Sequence, residues 1–215
     1  MDVPGAATDY SSTGLVITDS VVADDPAKQY DLLYSHRTIN KTAKDMKDYG
    51  ASYYGGIPIM FQHALTSIHF SLKTDATETV NLLSIQLRNV KNKGTFKENI
   101  TNETEFARNP QWTVADASEV KSYTSFTGSV EFPLNPQYVS ALAALDGTND
   151  NDVSHPLLMM PQALGNDVVV EVKYEVGGEE KTRTVQLNQY PATNPITTWE
   201  VGTKYTYRLV YSREA

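Results

Sequence analysis

Trp199-Glu-Val-Gly-Thr-Lys-Tyr-Thr-Tyr-Arg-Leu-Val-Tyr-Ser212 is the stretch that decides the fold. After Gly202 it alternates strictly, with Tyr205, Tyr207, Leu209 and Tyr211 on one side and Thr206, Arg208, Val210 and Ser212 on the other. Period-two alternation of large aromatic and aliphatic residues marks a strand with one buried face. Such a strand at the end of the sequence is expected to belong to the core. A domain completed by its last strand can also be extended by strand pairing, which brings assembly into view before any chemistry.

Working upstream, residues 167–187 read as a hairpin. Val168, Val170, Val172, Tyr174 and Val176 alternate, Gly177-Gly178 turns the chain, and residues 182–187 return. Leu157-Leu-Met-Met160, closed by Pro161, is a buried strand, and Phe126, Val130 and Phe132 form another, stopped by Pro133. Between them, Val139, Leu142 and Leu145 sit at helical spacing and predict a short helix over 136–145, followed by a polar loop over 146–152. Residues 80–90 show a phase slip, Lys91-Asn-Lys-Gly94 reads as a turn, and Thr95-Phe96 restarts a strand. In residues 57–73 the apolar positions 57, 59 and 61, with His63 and Leu65 in phase, flip to 68, 70 and 72. One face cannot hold both phases, so a bulge or a sheet-switching kink is expected near residues 65–67. A helical turn over 61–68 competes, disfavoured by the flanking β-branched residues. Leu15-Val-Ile-Thr18 is a short strand signal, Asp31-Leu-Leu-Tyr34 an apolar patch, and residues 35–56 a polar linker. Many strands with phase breaks and few helices imply an all-β antiparallel β-sandwich, transthyretin-like or of a related Greek-key type, from about Ile57 onward.

Composition narrows the function. The 215 residues carry a net charge of −8, which argues against a nucleic-acid partner, since phosphate binding needs clustered Lys and Arg. With 0 cysteines there are no disulfides, thiolate nucleophiles or cysteine-based zinc sites. No run approaches the ~18 apolar residues of a transmembrane segment. Met1-Asp-Val-Pro-Gly-Ala-Ala7 shows neither the basic residues nor the apolar stretch of a signal peptide.

The strands also carry a pattern. Phe61-Gln-His-Ala-Leu-Thr-Ser-Ile-His-Phe70 resembles the F-x-H-A-L-[AS]-[KR]-[VI]-x-[FV] strand of the Bacteroidales fimbrillin-like family, subunits and relatives of type V fimbriae. Asn89-Val-Lys-Asn-Lys-Gly-Thr-Phe96 is similar to its strand, turn and G-x-F segment. Leu157-Leu-Met-Met-Pro-Gln162 resembles L-L-[LMI]-[IM]-P-Q, and Trp199 to Tyr207 the closing W-x-x-G-x-x-Y-x-Y. Tyr30-Asp-Leu-Leu-Tyr34 is similar to the D-[LM]-[LM]-Y-A segment that precedes the family's second domain. The resemblance implies a C-terminal β-sandwich over 57–215, preceded by 1–56 as the remnant of another β-domain plus a linker. It also implies a structural role at the cell surface or outer membrane, with other fimbrial subunits as partners through strand donation.

Chemistry offers no rival of equal weight. His63 and His69 suggest a metal pair, but zinc wants a third ligand, and His36 and His155 lie in unrelated loops. Asp146, Asn149, Asp150 and Asp152 suggest calcium, yet lack the glycine and closing glutamate of an EF-hand. There is no nucleophile elbow and no phosphate loop. No enzymatic site, metal or cofactor is therefore expected. The candidates for strand pairing are Leu15, Val16 and Ile17, as an orphan strand, and Tyr205, Tyr207, Leu209 and Tyr211 of the last strand. The alternative is a module that binds a host protein or glycan by stacking on Trp112 and Trp199, although aromatics at alternate strand positions usually pack in the core.

Overall fold

The computed structural model describes residues 7–11, 14–35, 60–102, 107–115, 120–132, 138–141 and 153–212. In chain order its strands are β1 (Ala7–Ser11), β2 (Gly14–Val21), β3 (Leu33–Ser35), β4 (Phe61–His63), β5 (Thr66–Thr74) and β6 (Val80–Lys91). They continue as β7 (Lys93–Lys97), β8 (Ile100–Asn102), β9 (Ala107–Arg108), β10 (Gln111–Val114), β11 (Val120–Glu131) and β12 (Val139–Ser140). The last are β13 (Val153–Ser154), β14 (Leu157–Met159), β15 (Val169–Val176), β16 (Glu179–Gln186) and β17 (Lys204–Tyr211).

The fold is an all-β sandwich. One layer is a five-stranded sheet of order β13–β11–β6–β15–β16. In the facing layer β5 is central, with β17 along one edge and β12 and β14 along the other. Ile68, Phe70 and Leu72 of β5 meet Leu82, Ile85 and Leu87 of β6 and Val170 and Val172 of β15 in one core. Each such side chain contributes about 1.5–3 kcal/mol on full burial. A further sheet, β1–β2–β7–β10, is lined by a smaller core of Leu15, Ile17, Tyr34, Ala64 and Phe96.

The phase flip near residue 65 is a change of sheet. β4 pairs with β3, the chain buries Ala64 and Leu65, and β5 then enters the sandwich. The slip in β6 is a bulge: Lys173 faces Ser84 and Tyr174 faces Leu82, leaving Leu83 as the extra residue. A second irregularity, opposite β11, places Asn89 at φ 62, a conformation asparagine tolerates better than most residues. The 169–186 hairpin closes through Gly177 and Gly178, both at positive φ, as a two-residue turn that matches strand twist requires.

Two expectations are corrected. Residues 91–94 do not reverse the chain: β6 and β7 run on through the buried Asn92 into different sheets. Gly94 is there for close packing, since a Cβ would stand 2.7 Å from the Thr113 carbonyl oxygen. Val139–Ser140 is a strand on Leu72 and Ser71, with the Ala141 amide on the Phe70 carbonyl, so pairing overrides the helical spacing. β17 runs parallel to β5, whereas the other strand ladders among the described residues are antiparallel. The chain reaches β17 after crossing to the opposite sheet for β15 and β16, and that route sets its direction. The expected division between 56 and 57 and the acidic loop over 146–152 lie outside the described residues.

Candidate functional site

The strand Lys204–Tyr211 is set by the turn before it. Gly202 has φ +65, and a Cβ there would stand 3.1 Å from the His63 carbonyl oxygen. The Thr66 hydroxyl donates to the Glu200 carbonyl at 2.6 Å and fixes the turn against β5. The ladder then opens with the Ser67 amide on the Thr203 carbonyl and ends with the Asp75 amide on that of Tyr211. In a parallel ladder, alternate residues of one strand bond the same neighbour. Odd-numbered residues of β17 are thus bonded to β5, and the backbone of Thr206, Arg208 and Val210 points to the opposite, open edge.

The side chains follow the alternation. Tyr207 is buried and stacks on Phe70, centroids 6.0 Å apart. Its hydroxyl accepts from the Trp199 indole N–H at 2.9 Å. Burial, against the relief of that hydrogen bond, pushes the Tyr207 pKa up to about 12. Tyr205 receives the Glu200 amide at 3.1 Å, and Tyr211 donates to Glu78 at 3.1 Å. Tyr211 also meets Tyr174 of the facing sheet edge-on at 5.5 Å.

Beyond this contact the two layers separate. β16 is the edge of the five-stranded sheet and β17 the edge of its partner, and a groove of 1270 Å³ lies between them. Its walls include Val170, Val172 and Tyr174 of β15, Val185 of β16, and Tyr207, Leu209 and Tyr211 of β17. Register with β15 turns Glu179, Lys181, Arg183 and Val185 of β16 inward, opposite Val176, Tyr174, Val172 and Val170. Charged residues on the inner side of an edge strand hinder indiscriminate pairing. Among the described residues no strand pairs with the outer edge of β16 or of β17, and two such edges flanking an apolar-floored groove can receive an extended peptide segment. The groove offers no constellation of catalytic groups, and among the described residues no cluster of His, Cys, Asp or Glu could hold a metal ion.

The structure thus brings Tyr207, Leu209 and Tyr211 to one groove, keeps Tyr205 at the turn end of the same strand on the Glu200 amide, and leaves other expected residues elsewhere. Leu15, Val16 and Ile17 are not an orphan strand: β2 pairs with β1 on one side and β7 on the other, with Leu15 and Ile17 buried. Trp199 is 0% exposed and offers no ring face for stacking. Trp112 is half-buried, its indole N–H donating to the Ala64 carbonyl at 2.7 Å and its ring 5.5 Å from Phe96. His63 bonds Asp31 at 2.6 Å, while His69 meets Ser67 at 2.8 Å on another sheet. Sequence reasoning missed the open-edge backbone of β17 and the inward charges of β16. The hairpin register could have revealed the second, because Lys181 and Arg183 fall opposite Tyr174 and Val172.

Gln162 of the L-L-M-M-P-Q segment also gains a physical role. Its side-chain amide accepts from the Lys91 amide at 3.0 Å and donates to the Lys91 and Met160 carbonyls, each at 3.0 Å. It satisfies backbone groups where β6 leaves the sandwich.

Comparison with known proteins gives a consistent picture. The fimbrillin-like family matches residues 4–215. A fimbrial protein from Bacteroides vulgatus has a similar fold, with TM-score 0.53 and 14% identity over 98% of this chain and 68% of its own. A putative cell adhesion protein from Bacteroides uniformis is similar at TM-score 0.47 and 14% identity, covering 92% of this chain. The chain spans 61% of that protein's length. No curated protein matches the sequence.

Proposed function

Because the chain belongs to the fimbrillin-like family, we propose that it is a non-enzymatic fimbrial subunit or fimbria-associated surface protein that assembles by strand pairing. The names of the two Bacteroides proteins, fimbrial and cell adhesion, support a role in adhesion at the cell surface. The observation that carries the reading is the groove between the edges of β16 and β17, which no other strand covers among the described residues. An extended segment of a neighbouring subunit hydrogen-bonds the open backbone of Thr206, Arg208 and Val210, and its alternate side chains enter the groove. Lys181 and Arg183 favour a donor with carboxylates at inward positions, so the groove selects its partner.

The test uses a labelled extended peptide with glutamates at alternate positions as the probe, with binding read by fluorescence anisotropy and assembly by size exclusion. Thr206→Pro removes one open-edge N–H and leaves the bonds to β5 in place. Peptide binding and subunit association that both fall in this variant, at unchanged thermal stability, support the reading. No peptide binding and no association at high protein concentration would overturn it.

A further inference from the structure

The outer face of the β5–β17 ladder is a cationic strip on an acidic protein. Ladder partners share a face, so Ser67 and Lys204, His69 and Thr206, Ser71 and Arg208, and Lys73 and Val210 form four rows turned away from the core. Lys204 and Arg208 are exposed. Lys73 and Arg208 both approach the Tyr138 ring, 5.2 and 5.0 Å from its centroid. Among the described residues, the carboxylate paired with these cations is Asp75, 3.2 Å from Lys73. After burial, the positive charge of Lys204 further lowers the His69 pKa.

Exposed ammonium and guanidinium groups side by side on one face suit carboxylates that lack partners of their own. Carboxylates of that kind stand on the opposite outer face of the same sandwich. Glu131 faces Asn81, Asn81 faces Glu175, and Glu175 faces Glu180, giving three acids in one row across four strands. Glu175 and Glu180 are directly opposite each other, an unfavourable placement for like charges. Among the described residues, Glu131, Glu175 and Glu180 form no ion pair.

We propose that the cationic outer face of β5–β17 is an interface for a second copy of this chain, which docks its Glu131–Glu175–Glu180 row there. The lengths agree: Lys204 to Arg208 spans ~13 Å along one strand, and the acidic row spans ~14 Å across four strands. The strands of the two copies therefore cross near a right angle. The contact is heterologous, basic face to acidic face, so it repeats into an open array rather than closing as a dimer. It acts through side-chain faces and needs no backbone pairing, which takes it beyond the groove reading.

Sedimentation velocity of the full chain at low and high ionic strength tests it, with Lys204→Gln/Arg208→Gln and Glu175→Gln/Glu180→Gln as neutralised faces. The wild type should associate at low salt and dissociate as salt screens the contact. Each double variant should associate about tenfold or more weakly. An equimolar mixture of the two retains one intact basic and one intact acidic face, and should form pairs that grow no further. Circular dichroism confirms that each variant is folded, and Lys181→Gln, inside the groove and on neither outer face, should associate like the wild type here, which separates this contact from strand pairing. A wild type that stays monomeric at low salt, a double variant that associates normally, or a mixture that forms no pairs overturns the proposal.

Discussion

Replacing Tyr207 by Phe tests whether the terminal strand is part of the core. The substitution keeps the ring against Phe70 and removes the hydroxyl that accepts from the Trp199 N–H at 2.9 Å. Trp199 is 0% exposed, so its N–H is left buried without a partner. That costs about 1–3 kcal/mol, and each kcal/mol lowers the melting temperature of a chain this size by about 2–4 °C. Alkaline pH supplies a second readout. The folded pKa of Tyr207 is raised from 10.0 to about 12, chiefly by burial. Below pH 10 the phenol is neutral in both states and the burial contribution is whole. Between pH 10 and 12 the unfolded chain ionises first, so stability falls by about 1.4 kcal/mol per pH unit from this group. Tyr123 is shifted in the same direction by burial and adds to the slope in both proteins. Urea unfolding at a series of pH values should show Tyr207→Phe less stable at pH 8, with the two proteins converging above pH 10. Equal midpoints at pH 8 and parallel curves at high pH would refute the placement of this hydroxyl.

Further outcomes follow from single contacts. Gly202→Ala forces a side chain into φ +65 against the His63 carbonyl and should cost about 1–2 kcal/mol in chemical denaturation. Gly177→Asn, at φ +62 with nothing within 4 Å, should leave the midpoint within about 0.5 kcal/mol of wild type. Gln162→Leu strands the Lys91 amide and two carbonyls and should destabilise by about 2–4 kcal/mol, with amide exchange rising first at Lys91.

Much of the sandwich is legible because side-chain periodicity records which face is buried. The strict alternation of residues 204–211, the hairpin through Gly177-Gly178 and the phase flip near residue 65 each reflect a local rule of the pleat, and each stands in the fold. The ordered motifs also identify the family, since they cover strands whose residues have defined partners, as Gln162 does with Lys91. The groove was only half legible. Alternation places Tyr207 and Leu209 inward, yet it cannot say which strand lies alongside or in which direction. Leu15–Ile17 shows the same limit: a short apolar run reads as an orphan strand until β1 and β7 are found on its two sides.

What the sequence determined by itself is the all-β class, the buried faces and the family, because these depend on residues near one another in the chain. Only the tertiary structure decided that β17 lies parallel to β5 and turns the backbone of its even-numbered residues to the other edge. It alone decided that β16 stands across the groove with its charges turned inward. The physical reason is that the ladder joining residues 67–74 to 204–211 links segments far apart in the chain. Their meeting is set by how two sheets close over a shared core, which no local pattern encodes.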